Sequence, residues 1–232
     1  MTDADLTPDR PDDRPAHPSW FLPVAGAAII ALVVANNFGN IIWAEWVIDN
    51  PLGLLALNSS NKYLLATSVN TELVTVLGLS TLRLMAPDPL FYGIGWFYGD
   101  RALRWAGSVF PGITPVIEQA RNQDGSFRWL MTALLLIMPN NPVCLVAGVV
   151  RVPFARFLLL SFVGTVGRIL LMRLLGVVFE DQIEDLLEIV ARYQRWFLLA
   201  SVVVVLGYVA YQTTQRKGLI GAVEELEEDL GD

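Results

Sequence analysis

Residues 129–150 read WLMTALLLIMPNNPVCLVAGVV, an uncharged apolar run broken at its middle by Pro139-Asn140-Asn141-Pro142. A run of this length normally denotes a membrane-spanning helix, since about 20 residues cross a bilayer core. Here the helix cannot continue. Proline has no N–H and clashes with the preceding turn, disfavouring an uninterrupted helix by about 3 kcal/mol or more. Two half-helices meeting at polar backbone are expected instead. Such breaks persist in a bilayer only when buried in protein or facing a water-filled cavity, because an unsatisfied backbone group in hydrocarbon costs several kcal/mol. The run therefore predicts a polar cavity within the membrane.

Composition agrees with a membrane location. The 232 residues are 54% hydrophobic and 17% charged, with a mean hydropathy of +0.49, too apolar for an ordinary soluble domain. Apolar segments at 20–36, 51–67, 72–86, 129–150, 154–179 and 196–212 predict an all-α, polytopic helical membrane protein. The net charge of −7 resides in the tails: residues 1–19 carry −3, residues 216–232 carry −4, and the remainder is neutral. Acidic tails argue against nucleic acid, which needs clustered basic side chains. Three parts are expected: a disordered acidic tail over 1–19, a membrane domain over 20–214, and an acidic, helix-compatible tail over 215–232. The lone Cys144 permits no internal disulfide. No secretory signal is apparent, so the first span is read as a retained anchor.

Basic residues set an orientation through the positive-inside rule. Arg10, Arg14, Arg101, Arg104, Arg121, Arg128, Arg151, Arg156, Arg216 and Lys217 can all face the cytoplasm if 129–150 enters and leaves from one side, as a re-entrant hairpin. Both termini are then cytoplasmic. Arg192 and Arg195 fall on the outer side and fit less well. Segment 51–67 contains Asn58-Ser59-Ser60-Asn61-Lys62 and is read as a second re-entrant element. Ile183, Leu186, Leu187 and Val190 share one face of a predicted amphipathic helix, with acids opposite.

Asx-Pro pairs precede three apolar stretches: Asn50-Pro51, Asp88-Pro89 and Asn141-Pro142. Each is a helix-start signal, and helix starts inside a membrane can attract anions. Arg168 sits near the centre of a predicted span, where an arginine costs roughly 2.5–3.5 kcal/mol, so it should face a cavity or an acid. Glu45, Glu72 and Asp88 are candidate partners, and Arg173 joins Arg168 as a candidate anion-binding group. A purely structural ion pair is the alternative. Gly164, Gly167 and Gly176 provide small surfaces for close helix packing; Gly93, Gly95 and Gly99 are read the same way. Arg83 is expected to snorkel to the interface, and Trp43, Trp46, Trp96, Trp105, Trp129 and Trp196 to anchor there.

Catalytic groups are scarce. The sole histidine, His17, lies in the N-terminal tail, so no core Ser-His couple or histidine metal site can form. Cys144 reads as a small core residue. No enzyme activity, metal or cofactor is expected.

The stretches Asp88-Pro89-Leu90-Phe91-Tyr92-Gly93-Ile94-Gly95-Trp96-Phe97-Tyr98-Gly99-Asp100 and Ala147-Gly148-Val149-Val150-Arg151-Val152-Pro153-Phe154-Ala155-Arg156-Phe157, followed by a Gly-rich span ending at Gly176, resemble the DedA family. These are also called SNARE-associated or VTT-domain membrane proteins. The resemblance covers about residues 50–212, with Asn50-Pro51 at its start. It implies two re-entrant loops and the handling of a phosphate-bearing lipid in the bacterial cytoplasmic membrane, either polyprenyl phosphate or phospholipid, by flippase or scramblase action. The chain departs from the family by lacking Arg-Phe before the hairpin proline and an arginine shortly after it. The expected substrate-binding residues are Pro139, Asn140, Asn141, Pro142, Arg168 and Arg173. The expected partners are lipids with anionic headgroups; a homodimer is left open. The alternative reading is a non-transporting scaffold that recruits a protein through the acidic C-terminal tail.

Overall fold

The computed structural model describes residues 18–68, 70–109, 125–137 and 140–215. Both acidic tails, His17, Arg121 and Pro139 lie outside the described residues. Among those described, all regular elements are helices: α1 (Phe21–Asp49), α2 (Pro51–Leu57), α3 (Asn61–Ala66), α4 (Leu73–Met85), α5 (Asp88–Val109), α6 (Gly125–Ile137), α7 (Asn141–Val149), α8 (Phe154–Val178), α9 (Glu180–Arg192) and α10 (Gln194–Gln215). Three are long and apolar enough to cross a membrane: α1, α8 and α10 over Gln194–Tyr211.

The first helix runs past the expected end at Asn36 to Asp49, a length of 29 residues. Nothing between Asn36 and Asp49 forbids helix, and it stops only at Asn50, where the following proline disfavours helical backbone. Asn50 then caps α2, its Oδ1 accepting the Gly53 N–H at 3.1 Å. The predicted break in 51–67 is present at Asn58–Ser60, between α2 and α3. Asn58 closes it: Oδ1 accepts the Ser60 N–H at 3.0 Å, and Nδ2 donates to Asn40 Oδ1 at 3.1 Å and Asn36 O at 3.3 Å. The Tyr63 hydroxyl donates to the same Asn40 oxygen at 2.9 Å.

Helix α5 bends sharply at Gly99, whose φ of 54° and ψ of −122° lie outside helical space. The bend returns Trp105 to Phe91, with ring centroids 6.5 Å apart. Trp105 is therefore core, only 5% exposed, rather than an interfacial anchor. Gly99 is thus a turn and not a packing glycine. Gly95 and Gly148 are packing glycines in the strict sense. A Cβ on Gly95 would lie 2.0 Å from the Leu145 carbonyl oxygen, and one on Gly148 would lie 2.0 Å from that of Tyr92. Each glycine receives the other helix's backbone, so α5 and α7 lock together. Gly164 likewise admits the α6 carbonyls of Leu136 and Leu135. Gly93 takes up the Phe21 ring and Gly176 the Ser68 hydroxyl, whereas nothing lies within 4 Å of a Cβ on Gly167.

Beyond α7 the chain turns through Arg151, with φ of 56°. The Val152 N–H donates to Ala147 O at 3.0 Å and the Arg151 N–H to Gly148 O at 3.1 Å. This is a Schellman cap with arginine where glycine is usual. The Arg151 guanidinium covers the Trp96 ring at 5.8 Å. The Ala-Gly…Arg-x-Pro-Phe stretch is thus a helix cap followed by a helix start.

Two apolar cores are strung along α1 and α8. Leu22 and Ile29 of α1 and Phe157 of α8 join α5, α6 and α7 in one; Ala44 and Val47 of α1 and Ile169 of α8 join α2, α3, α4 and α9 in the other. Helix α9 contributes Ile183, Leu187 and Val190, while Leu186 points outward at 56% exposure. Helix α10 packs on α1, where Trp43 Nε1 donates to Ser201 Oγ at 2.8 Å.

The glycine lock yields a direct test. Gly95→Ala and Gly148→Ala force backbone apart and should destabilise at or above the usual overpacking range of about 1–3 kcal/mol. Gly78→Ala, with open space around its Cβ, should be neutral or stabilising by up to about 1 kcal/mol. The buried Cys144 reports the result through the temperature at which a thiol-reactive dye labels it.

Candidate functional site

Between the two cores lies a polar layer, near the midpoints of α1 and α8. On one side it holds Asn40, Asn58, Tyr63 and Arg83; on the other Asp88, Ser161, Thr165 and Arg168. Asn58, Ser80, Thr81, Asp88, Ser161 and Thr165 are all buried. Buried polar groups are normally hydrogen-bonded; on the first side Asn58, Tyr63 and Arg83 are, whereas the Ser60 and Ser80 hydroxyls are not. Arg83 Nε donates to Leu57 O, the last carbonyl of α2, at 2.9 Å, and Nη2 donates to Leu32 O at 3.1 Å. Arg83 therefore turns inward to one carbonyl at the end of α2 and one within α1, instead of snorkelling. Its sequence position near a helix end gave no sign of this, because the acceptors belong to other helices.

The second side also holds unsatisfied groups. Asp88, 3% exposed, begins α5, but the first turn is closed by Pro87 O, which accepts from the Leu90 and Phe91 N–H groups at 3.1 Å. The carboxylate is thereby free of capping duty. Beside it are the Cys144 thiol and the Ser161 hydroxyl, and the Arg168 guanidinium acts on it as counter-charge. Between described residues one ion pair closes to within 4 Å, Arg192 to Glu188 at 3.3 Å. Asp88 and Arg168 face each other at longer range. Ser161 Oγ and Arg168 Nε are both buried without a hydrogen-bond partner.

Arg168 and Ser161 are seven residues apart, which places them on one face of α8 about 10.5 Å apart along the axis. A groove of about 340 Å³ opens beside Arg168, lined by Leu136, Ile137, Val163, Gly164, Gly167 and Leu171. Its walls are apolar and its one charge is positive. Gly167 is a groove surface rather than a packing surface. Chemically, the groove offers an anion a guanidinium and offers an aliphatic chain a path to lipid.

The remaining expected site residues divide clearly. Of the three acids, Asp88 alone meets Arg168; Glu45 is exposed, and Glu72 accepts from the Thr75 hydroxyl at 3.3 Å. Arg173 does not join Arg168: its Nη1 donates to the Thr71 hydroxyl at 3.1 Å and its Nη2 to the Thr71 carbonyl, tying α8 to the start of α4. Arg156 donates to the Thr132 hydroxyl at 3.0 Å. Tyr92 donates to Val152 O at 2.6 Å and serves the cap after α7.

At the helix break, the cap is Asn140 and not Asn141. Asn140 Oδ1 accepts the Val143 N–H at 3.2 Å, and its carbonyl accepts the Cys144 N–H at 3.0 Å. Pro142 has no N–H. The Asn141 N–H is the single first-turn donor of α7 not accounted for in this way. The tip is self-capped and presents little to an anion, which leaves Arg168 as the anion-directed group. Asn140 and Asn141 were legible as a helix start; the self-capping depended on which of the two amides turned inward.

No protein-family model, no curated protein and no solved structure matches the chain. The site's meaning therefore rests on its geometry.

Removing the cap isolates the tip's role. Asn140→Ala should lower stability by about 1 kcal/mol, or roughly 2–4 °C in Tm for a chain of this size. Lipid-phosphate binding should be unchanged, as measured by thermal unfolding with and without a dispersed phosphate-bearing lipid.

Proposed function

We propose that the chain is a membrane lipid transporter of the flippase or scramblase type, moving a lipid with an anionic phosphate headgroup. The observation that carries this reading is Arg168, whose Nε has no hydrogen-bond partner, set in an apolar-walled groove open at α8. A headgroup needs a charged path through the bilayer and its tails do not; a groove with one cation and lipid-facing walls meets both needs. The same reading makes the broken segments α2–α3 and α6–α7 re-entrant elements, places both termini on the cytoplasmic side of a bacterial cytoplasmic membrane, and accords with the DedA resemblance of the Asp88–Asp100 and Ala147–Phe157 stretches. Asp88 holds Arg168 electrostatically when no headgroup is present. The scaffold reading relies on the acidic tail, which lies outside the described residues, and it supplies a control.

In proteoliposomes containing fluorescent phosphatidylglycerol, dithionite quenching reads headgroup flipping directly. Loss of a charge-assisted hydrogen bond is worth about 1.5–3 kcal/mol, so Arg168→Ala should slow flipping roughly 10-fold or more. Arg173→Ala, compared per folded molecule, should flip at the wild-type rate, and so should a chain truncated after Gln215. Undiminished flipping by a variant carrying both Arg168→Ala and Asn141→Leu would reject the assignment.

A further inference from the structure

Pro139 cannot donate a hydrogen bond, so the Leu135 carbonyl, four residues earlier, lacks its helical partner. That oxygen and the Leu136 carbonyl lie against α8 at Gly164, where the missing side chain lets them approach. One helical turn away on the same side is Ser161, whose hydroxyl is 0% exposed and has no hydrogen-bond partner. Beside Ser161 is the Asp88 carboxylate. A carboxylate, a hydroxyl and two carbonyls at a helix C-terminus thus flank one turn of α8, from Ser161 to Gly164. The Cys144 thiol and the Ser161 hydroxyl are the polar groups beside Asp88, and Arg168 acts on it only as a more distant counter-charge. A buried carboxylate without a contacting cation is costly, and acceptor-rich pockets at the C-terminal ends of broken helices suit a small hard cation.

We infer that Asp88, Ser161 and the Leu135 and Leu136 carbonyls form a binding site for a sodium ion. Oxygen chemistry favours sodium over a proton here, since a proton on Asp88 gives a single O–H donor whereas a cation is ligated by several oxygens at once. The site stands on its own geometry; its link to transport rests on the reading above. When an anionic headgroup draws Arg168 into the groove, Asp88 loses its counter-charge, and sodium replaces it. Headgroup and cation then enter together as a neutral pair.

The test needs no lipid. Purified full-length chain in detergent is unfolded thermally in sodium chloride, potassium chloride or choline chloride at equal ionic strength. Sodium should raise Tm by about 3–6 °C over choline, as expected for a ligand well above its Kd. The increment should vanish in Ser161→Ala and in Asp88→Asn, each compared with its own Tm in choline. No sodium increment, an equal increment from all three salts, or an increment that survives in both variants overturns the site. Should Asp88→Asn fail to fold, Ser161→Ala decides alone. Absent sodium response with Arg168-dependent flipping intact refutes the cation site only; a sodium response with Arg168-independent flipping refutes only the transport reading.

Discussion

A bilayer offers backbone no hydrogen bonds, and this chain withdraws donors in the middle of an uncharged apolar run. Neither Pro139 nor Pro142 carries an N–H, so the ordinary helical donor to the Leu135 carbonyl and one of the first N–H groups of α7 are both missing. The rest of the structure answers that deficit. Asn140 caps α7 from within, while the α6 carbonyls are received by α8 at Gly164.

The same logic governs the other break. At Asn58–Ser60 the exposed groups are closed by Asn40 and Tyr63, and by Arg83 reaching two carbonyls. Even so, the Ser60 hydroxyl within this break is buried without a hydrogen-bond partner. The Asn58–Ser60 break lies among polar groups of other helices, Asn40 and Arg83 among them. The α5–α7 lock through Gly95 and Gly148 fixes Asp88 and Cys144 on one wall of the polar layer. Helix α8 supplies the other wall with Ser161 and Arg168.

Much of this was legible in the residues, and the failures share a cause. Broken segments follow from proline's missing N–H and from the polar run at Asn58–Lys62, which are local chemistry. Arg168 as a group facing an acid also followed, because a charge near mid-span has few tolerable surroundings. Partner identity was not legible. Arg83, Arg173 and Trp105 all turned to neighbours distant in sequence, and amphipathic position alone does not name them. Gly99 and Gly167 look alike in sequence to Gly95 and Gly164; only the backbone angle at Gly99 and the open space at Gly167 separate turn, groove and packing roles. The Ser161 hydroxyl carried a faint signal, a polar residue seven positions before Arg168 on the same helical face.

The central claim is that the groove at Arg168 carries water into the apolar depth of the membrane. Spin labels placed at Gly167 and at Val204, in a Cys144→Ala background and reconstituted in liposomes, measure this through collisions with a water-soluble nickel chelate and with oxygen. Gly167 faces the groove, and Val204 is an exposed residue near the middle of α10. Strong nickel collisions at Gly167 and oxygen-dominated collisions at Val204 are the predicted result. Oxygen-dominated collisions at both would contradict a polar path through this fold.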